Sequence, residues 1–261
     1  MAVDLWQFAF DALPDLRFAR CAKRLRASRD GEAVADTTSA LLVWEPRLIV
    51  PEYAVPAADL LVELAPARAA EQPDPLPEVL VPGNFGWHTS PGTRLALDEG
   101  GTEVAFRPDD PALAGRVVLD FSAFDWVEEE QPVLGHPHDP FQRIDCLTSS
   151  RHVVVRLGDT VLAESTRPVA LFETHLPPRW YLPREDVRLD LLTPSSTHTV
   201  CAYKGVASYL GSDLEGGRDI AWFYPDPLHD AEPVRDHVCF WSERCEVVVD
   251  GVPVEGRMPG I

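Results

Sequence analysis

The sequence predicts a mainly β protein made of two tandem, related β-rich domains with short helices. Apolar and polar residues alternate with a period of two in several short segments, which is typical of half-buried strands. Proline is frequent, at 25 of 261 residues, whereas glycine is ordinary at 16, and this balance favours short strands and rigid turns. A pattern of segments in the first half also recurs, in the same order, in the second half.

The chain opens with one short amphipathic segment. Residues 5–13 are predicted to form a helix, with Asp4 as its N-cap and Pro14 at its end. We expect the apolar face of this helix to pack on the first domain. That face consists of Leu5, Phe8, Ala9 and Ala12.

After this helix the hydrophobic period changes to two. Residues 25–28 and 32–36 flank the dipeptide Asp30-Gly31, and Asp-Gly between two alternating segments is a strong signal for a β-hairpin. A third alternating segment, residues 40–45, follows the hairpin. The first half of the chain therefore continues as short antiparallel strands.

The second half repeats this pattern. Residues 153–166 match residues 25–38, and Glu173 matches Glu45 at the same separation. The other matched pairs are Ala35 with Ala163, Pro56 with Pro183, Asp59 with Asp186, Val118 with Val238, Phe121 with Trp241 and Ser122 with Ser242. Because the repeat is half the chain long, it is too long for a solenoid and indicates a tandem duplication.

The repeat sets the predicted domain organisation, with one domain in residues 1–134 and a second in residues 135–261. A proline-spaced connector, residues 135–143, should be extended and stiff. A short helix is predicted to begin at Pro183, with Pro194 beyond its end. The strands predicted in the second domain are residues 153–157, 160–164, 169–173, 219–223, 237–241 and 246–249.

The net charge of -19 limits the kinds of partner. Such a surface repels phosphate backbones and anionic lipids, so we expect no binding to nucleic acid or to a membrane surface. No window approaches about 18 uncharged apolar residues, so no transmembrane span is predicted. The first residues also lack the basic segment of a signal peptide, and we expect a cytoplasmic protein. The sequence does not predict the oligomeric state.

The cysteine pattern argues against disulfides and zinc. The count is odd and no Cys-x-x-Cys motif occurs, so reduced thiols are expected. The five residues are Cys21, Cys146, Cys201, Cys239 and Cys245. His136, His138 and Asp139 form only a weak metal-binding pattern, for which a packed connector is the alternative. We therefore predict no metal and no cofactor.

Residues 197–209 hold the densest group of reactive side chains. His198, Cys201 and Lys204 are the candidate catalytic residues. Cys201 would be a nucleophile whose pKa is lowered by His198 or Lys204, although a buried core thiol is the alternative. Lys204 would hold a small anion, or it would simply pair with Glu173 or Asp186. An anionic ligand would need such a local ammonium on this acidic chain.

Further residues are candidates for binding that ligand. They are Glu173, Tyr181, Asp186, Tyr203, Gly205, Trp222 and Tyr224. The aromatic rings would form a pocket wall, and membership of the core is the alternative for them. The first copy has the connection of residues 66–91, with Trp87 and His88, in place of this stretch. Because a purely structural motif should be needed in both copies, this difference favours a ligand site over a non-catalytic binding or scaffold module.

Several separated motifs run through the second half in a recognisable order. They are His136-Pro137-His138-Asp139-Pro140, Glu173, Tyr181-Leu182-Pro183-Arg184-Glu185-Asp186-Val187, Cys201-Ala202-Tyr203-Lys204-Gly205, Ala221-Trp222-Phe223-Tyr224-Pro225-Asp226-Pro227 and Asp250-Gly251. Together they resemble the bacterial domain of unknown function 427 family, including its tandem members. The resemblance implies a compact, mainly β domain with a tent-like sheet and no established activity. The family usually has proline where Ala202 stands.

A nucleotidyltransferase-like label attached to that family is not supported by motifs. Such enzymes combine a Gly-Ser turn with paired acids on a neighbouring strand, because two metals bridge the triphosphate and the attacking oxygen. Gly211-Ser212 is present, but no acid-x-acid pair follows at the right distance, and residues 219–221 contain one carboxylate. No glycine-rich run precedes Lys204. Whether the protein is an enzyme stays open at this point.

Overall fold

The computed structural model of the chain describes residues 2–68 and 71–254. As predicted, the fold is mainly β. The described residues form 22 strands, one α-helix and seven short 3₁₀ helices, and the strands build four antiparallel sheets. The chain divides into two compact units, residues 1–139 and residues 140–261, named below the N-terminal unit and the C-terminal unit.

The N-terminal unit begins with the helix α1 (Leu5–Asp11). Its strands are β1 (Arg17–Arg20), β2 (Leu25–Arg29), β3 (Glu32–Thr37), β4 (Leu41–Trp44), β5 (Glu52–Pro56), β6 (Ala65–Pro66), β7 (Gly92–Ala96), β8 (Ala105–Pro108), β9 (Arg116–Leu119), β10 (Asp125–Glu128) and β11 (Gln131–Pro132). Its 3₁₀ helices are Ala57–Asp59, Pro82–Asn84, Pro111–Leu113 and Phe121–Ala123.

The C-terminal unit has no α-helix among its described residues. Its strands are β12 (Ile144–Thr148), β13 (Val153–Leu157), β14 (Thr160–Ser165), β15 (Val169–Glu173), β16 (Arg179–Pro183), β17 (Thr193–Cys201), β18 (Gly205–Gly211), β19 (Ala221–Phe223), β20 (His237–Phe240), β21 (Glu246–Val249) and β22 (Val252–Pro253). Its 3₁₀ helices are Arg184–Asp186, Leu189–Leu191 and His229–Val234.

Both units have the same strand order. The N-terminal unit contains a seven-stranded sheet in the order β1-β4-β5-β9-β8-β7-β6 and a four-stranded sheet in the order β11-β10-β2-β3. The C-terminal unit contains a seven-stranded sheet, β12-β15-β16-β20-β19-β18-β17, and a four-stranded sheet, β14-β13-β21-β22. Each strand of the first unit therefore has a counterpart in the second, taken in chain order.

The strand registers correct one part of the predicted alignment. Val55 pairs with Val117, and Leu182 pairs with Val238. Val55 and Leu182 each precede one of the matched prolines, so the two strand pairs are counterparts. Val117, rather than Val118, is therefore the positional counterpart of Val238. The residues around β9 are similar to one another, so the alignment by sequence was wrong by one position there. A shift of one position along a strand moves each side chain to the opposite face of the sheet.

The seven-stranded sheet of the C-terminal unit has two apolar faces. Successive side chains of a strand point to opposite faces. Leu182 of β16 accordingly packs with Val155 of the four-stranded sheet in one core cluster. Its neighbour Tyr181 packs with Trp222 and Cys239 in a second cluster, which contains no residue of the four-stranded sheet. We call the face that carries this second cluster the outer face.

The N-terminal helix forms where it was predicted, but its environment differs. Asp4 caps it, because the Asp4 side chain accepts a hydrogen bond from Trp6 N at 2.9 Å. None of its residues is buried, and Leu5 and Phe8 are 76% and 63% exposed. The expectation that its apolar face packs on the first domain is therefore wrong. Periodicity sets which residues share a face, whereas tertiary contacts decide whether that face is covered.

The predicted strands of the second half are present, with ends within two residues of the predicted ones. The helix predicted after Pro183 is shorter than expected. The structure has two 3₁₀ turns there, Arg184–Asp186 and Leu189–Leu191, and Pro194 lies within strand β17. No helix of the described residues has the length and apolar character needed to cross a membrane.

Candidate functional site

The reactive stretch of the sequence forms an antiparallel hairpin. Strands β17 and β18 pair so that Cys201 lies opposite Gly205, and residues 202–204 make the turn. Gly205 has a φ of +96°, and a Cβ added to it would lie 3.3 Å from the carbonyl oxygen of Asp226. This backbone position therefore requires glycine for its conformation and for the close approach of the neighbouring chain.

Gly205→Ala should lower the free energy of unfolding by about 1 to 3 kcal/mol, because it places a side chain in a strained backbone region and against Asp226. Gly251→Ala is the matched control, since Gly251 has a φ of +82° with no atom within 4 Å of an added Cβ. Urea denaturation measures both. We expect the smaller loss for Gly251→Ala, and equal losses would show that the contact with Asp226 contributes nothing.

Lys204 forms a buried ion pair with Glu173. Its Nζ donates a hydrogen bond to Glu173 Oε2, and the two side chains are only 11% and 10% exposed. Burial acts to lower the pKa of Lys204, but the neighbouring Cys201 and Glu173 outweigh burial and raise that pKa. The ammonium therefore stays charged at neutral pH and is neutralised by an acid within the unit. Of the two roles considered for Lys204, the structure presents the pairing with Glu173.

His198 and Cys201 lie on opposite faces of the hairpin. They are three positions apart on β17, and side chains alternate along a strand. The Nδ1 atom of His198 lies 3.4 Å from Ser208 Oγ, whereas Cys201 packs at the edge of the outer-face cluster. The expectation that His198 activates Cys201 requires a shared face. The strand geometry instead leaves Lys204 as the charged neighbour of Cys201.

The candidate aromatic wall lies in the core. Tyr181, Tyr203, Trp222 and Tyr224 are all buried and belong to the outer-face cluster. Trp222 Nε1 donates a hydrogen bond to the Tyr181 hydroxyl at 3.1 Å, and burial raises the pKa of Tyr181 and of Tyr224 above the usual range. These rings therefore belong to the core next to Lys204 and do not form the wall of an open pocket.

Asp186 has partners other than Lys204. It accepts hydrogen bonds from Ser165 Oγ at 2.7 Å and from Arg167 at 3.0 Å. Burial acts to raise the pKa of Asp186, but these two hydrogen bonds outweigh burial and lower that pKa. The matched residue in the N-terminal unit, Asp59, accepts from Thr37 Oγ1 at 2.6 Å. Both aspartates therefore tie the 3₁₀ turn to the neighbouring strand.

All five cysteines are free thiols in the structure. Burial raises the pKa of Cys239 to about 12 and that of Cys245 to about 12, so both thiols are protonated at neutral pH. Cys146 and Cys201 are partly exposed and border the outer-face cluster. These two thiols are therefore the accessible ones near Lys204.

The sequence did not single out Arg179, which lies on the outer face. Its guanidinium carbon is 5.7 Å from the Trp222 ring centre and 5.4 Å from the Trp241 ring centre. The guanidinium also donates to Glu243 at 2.6 Å and 2.9 Å. Arg179 and Tyr181 are two positions apart on β16, so recognition of this strand would have placed them on one face.

The sequence also missed a buried ionic cluster in the N-terminal unit. His88 Nδ1 lies 2.6 Å from Glu45 Oε2, and His88 Nε2 lies 2.8 Å from Glu103 Oε1. Arg94 also contacts Glu103, at 3.1 Å, and the imidazole stacks on the Phe106 ring at 3.8 Å. Burial opposes the charged imidazole, but the two glutamates outweigh burial and raise the pKa of His88 to about 9. His88 is therefore an imidazolium at neutral pH.

Glu52 adds a titratable group to this region. It is buried, and its Oε1 atom has no hydrogen-bond partner among the described residues. Burial is the main cause that raises the pKa of Glu52 to about 8, and the charge of His88 opposes the rise. Glu52 lies opposite Val43, and Arg179 lies opposite Leu171. The two units therefore carry an acidic and a basic side chain at equivalent places.

Glu45 and Glu173 occupy equivalent positions in the two units. The sequence matched these glutamates, and each follows or ends the equivalent strand, β4 or β15. Glu173 pairs with Lys204, which lies in the β17–β18 turn. Glu45 pairs with His88, which lies in the connection before β7. The N-terminal unit thus has no Cys-x-Tyr-Lys-Gly motif, yet its glutamate also contacts a buried cation.

The C-terminal unit is therefore a mainly β domain of two packed sheets with a buried ion pair between Lys204 and Glu173. The family model described as domain of unknown function 427 matches residues 145–251. The C-terminal unit therefore matches this family, as the motifs predicted. A search of curated proteins found no match. Across residues 2–68 and 71–254, no group of three or more His, Cys, Asp or Glu side chains is arranged to hold a metal ion.

Proposed function

We propose that this protein is a non-catalytic binding or scaffold module, in which the Cys-x-Tyr-Lys-Gly motif holds the β17–β18 turn in place. The buried ion pair between Lys204 and Glu173 carries the proposal. A lysine that anchors a ligand needs an accessible ammonium, whereas a lysine covered with its own carboxylate is already neutralised. Removing either partner would leave a buried charge uncompensated.

Contacts around the turn support the same role. Leu228 N donates a hydrogen bond to the carbonyl oxygen of Lys204 at 3.1 Å, and Gly205 lies close to Asp226. The motif therefore connects the β17–β18 turn to strand β15 through its ammonium and to residues 226–228 through its backbone. The contacts described for the motif are therefore all with residues of the C-terminal unit.

The N-terminal unit supplies a second argument. We propose that the two units arose by tandem duplication, since they have the same strand order. A purely structural pair should then have a counterpart in both copies, and Glu45 with His88 is such a counterpart for Glu173 with Lys204. The absence of the motif from the first copy therefore no longer favours a ligand site, because another cation contacts the equivalent carboxylate.

A small-anion site at Lys204 is the second candidate. It is favoured by Cys201, which is partly exposed beside the ammonium. An anion that bound here would compete with Glu173 for Lys204, and it would leave that buried carboxylate without its cation. Such a displacement costs several kcal/mol in typical buried pairs. The anion would have to make contacts that outweigh this cost.

A thermal-shift screen with small anions separates the two candidates. The panel contains phosphate, citrate and nucleoside phosphates, and the double variant Lys204→Met/Glu173→Leu is the control that removes the pair without leaving a lone charge. For a scaffold we expect no anion to raise the melting temperature of the native chain more than that of the variant. An anion that stabilises only the native chain would contradict the scaffold role, because binding to the native state raises its melting temperature.

The free thiols bear on location. All five cysteines are reduced in the structure, and structural disulfides are rare in reducing compartments. We therefore propose a cytoplasmic location. The net charge of -19 supports the further proposal that nucleic acid and anionic membranes are not partners, because both carry the same sign of charge.

A further inference from the structure

The edges of the four sheets are protected in nearly every case. An exposed edge strand offers unpaired backbone groups to other chains, and proteins protect such edges with charge, proline or short length. Among the described residues, four longer edge strands carry charged side chains and three two-residue edge strands end in proline. These residues are Arg17 and Arg20 in β1, Glu32 and Asp36 in β3, Asp145 in β12, Glu164 in β14, Pro66 in β6, Pro132 in β11 and Pro253 in β22.

Strand β17 is the exception. It is the edge of the seven-stranded sheet in the C-terminal unit, it has nine residues, and none of them is Asp, Glu, Lys or Arg. Pro194 protects its first part, where the register with β18 is irregular before His198. Residues 198–201 pair regularly with β18 on one side, and no strand of the described chain pairs with them on the other.

The exposed side chains beside this edge are apolar. Val200 is 55% exposed, and its cross-strand partner Val206 is 44% exposed. The two valines form a small apolar strip next to an edge without charge, on a chain whose net charge is -19. A surface of this kind is costly to leave unprotected, because it promotes edge-to-edge pairing.

We infer that residues 198–200 form the centre of a homodimer interface, in which the β17 edges of two copies pair antiparallel about a twofold axis at Thr199. This arrangement places Thr199 opposite Thr199 of the second copy and His198 opposite Val200 of the second copy. Each side chain keeps its own face of the sheet, because a twofold axis perpendicular to a sheet does not exchange its faces. A twofold interface uses the same patch on both copies.

The chemistry of the edge favours a second copy as its partner. Two antiparallel copies of this segment bring one threonine pair together, beside residues that are not Asp, Glu, Lys or Arg, and a Thr–Thr cross-strand pair stabilises a sheet. The same self-pairing at β12 or β14 would bring acidic residues of equal charge close together, which is destabilising. Self-pairing is therefore compatible with β17 and is disfavoured at the other longer edges.

The interface is small, so the association should be weak. A short edge pairing buries far less surface than the roughly 1,200 to 2,000 Å² of a standard stable interface. Two chains of net charge -19 also repel each other. Salt screens that repulsion while leaving backbone hydrogen bonds largely intact. The dimer should therefore be favoured at high protein concentration and high salt.

Sedimentation velocity of the full chain over a wide concentration range, at low and at high sodium chloride, tests the inference. We expect a concentration-dependent dimer whose dissociation constant falls as the salt concentration rises. A chain that stays monomeric at every concentration in high salt overturns the inference.

Val200→Lys is the test variant and Val206→Lys is its matched control. Both substitutions place the same charge at exposed positions on one face, but only Val200 lies on the edge strand. We expect Val200→Lys to raise the dissociation constant by about tenfold or more, because it brings positive charge into the strand pairing. Val206→Lys should leave the constant within about threefold. Equal weakening by both variants overturns edge pairing.

A second edge variant keeps the test decisive. His198→Lys changes the residue that would lie opposite Val200, and His198 is exposed, so this substitution should not perturb the core. Thermal melts establish whether each variant is folded. If Val200→Lys does not fold, His198→Lys alone decides the outcome: an unchanged dissociation constant in this variant overturns the inference.

Discussion

Lys204→Met should lower the free energy of unfolding by about 3 to 5 kcal/mol, because it leaves the buried carboxylate of Glu173 without its cation. Methionine keeps the apolar stem of the lysine, so the loss reports the charge and not the packing. Urea denaturation of the full chain at neutral pH measures it. The C-terminal unit should account for the loss, since both residues belong to it.

Two controls define this result. The double variant Lys204→Met/Glu173→Leu should recover most of the stability, because replacing a buried pair by apolar residues is often neutral or stabilising. Arg188→Met tests an exposed ion pair, in which the Arg188 and Asp190 side chains are 57% and 61% exposed, and we expect little or no loss from its ion pair. A loss below about 1 kcal/mol for Lys204→Met would contradict the structural role of the pair and reopen the anion site.

The N-terminal unit should become less stable as the pH rises from 6.5 to about 9. The pKa of His88 is raised from 6.5 to about 9 in the folded chain, so its stabilising contribution is fully present below 6.5 and is lost as the pH passes about 9. Glu52, with a pKa raised from 4.5 to about 8, acts in the same direction, because the folded chain retains a proton that the unfolded chain releases. At about 1.4 kcal/mol per pH unit, the loss between pH 6.5 and 9 is about 3 kcal/mol from His88 and about 2 kcal/mol from Glu52.

Hydrogen exchange in the full chain measures this effect locally. We expect the protection of β4 and β5 amides, corrected for the intrinsic exchange rate, to fall over this pH range more than that of β15 and β16. Glu52→Gln keeps an acceptor for the neighbouring backbone and removes the titration, so it should flatten the loss below pH 8. The remaining loss should follow His88, which faces Glu45 and Glu103. Parallel behaviour of both strand pairs would contradict the assignment.

Local pattern was enough to predict the strands and the matched acids. Alternation and an Asp-Gly turn predicted the hairpin that follows the first helix, and the match of Glu45 with Glu173 identified two carboxylates at equivalent positions. Strand β17 was not recognised, because its sequence, Thr-Pro-Ser-Ser-Thr-His-Thr-Val-Cys, lacks apolar alternation. Without that strand, the opposite faces of His198 and Cys201 were not apparent.

The ionic partners were harder to predict than the strands. Pairing with Glu173 was one of two alternatives for Lys204, and only the arrangement of β15 against the β17–β18 turn decides between them. The contact of His88 with Glu103 depends on how the connection before β7 folds over the sheet. Neither the residue types nor their spacing along the chain predicts that His88 comes close to Glu103.

The two glutamates also bear on how related domains are detected. A sequence profile scores residues in order along a chain, so a profile that expects Cys-x-Tyr-Lys-Gly finds no such motif in residues 66–91. That connection nevertheless brings His88 to Glu45. The match to residues 145–251 leaves the N-terminal unit outside the family's sequence signature. A search that scores the spatial pairing of an acid with any buried cation would compare both halves on equal terms.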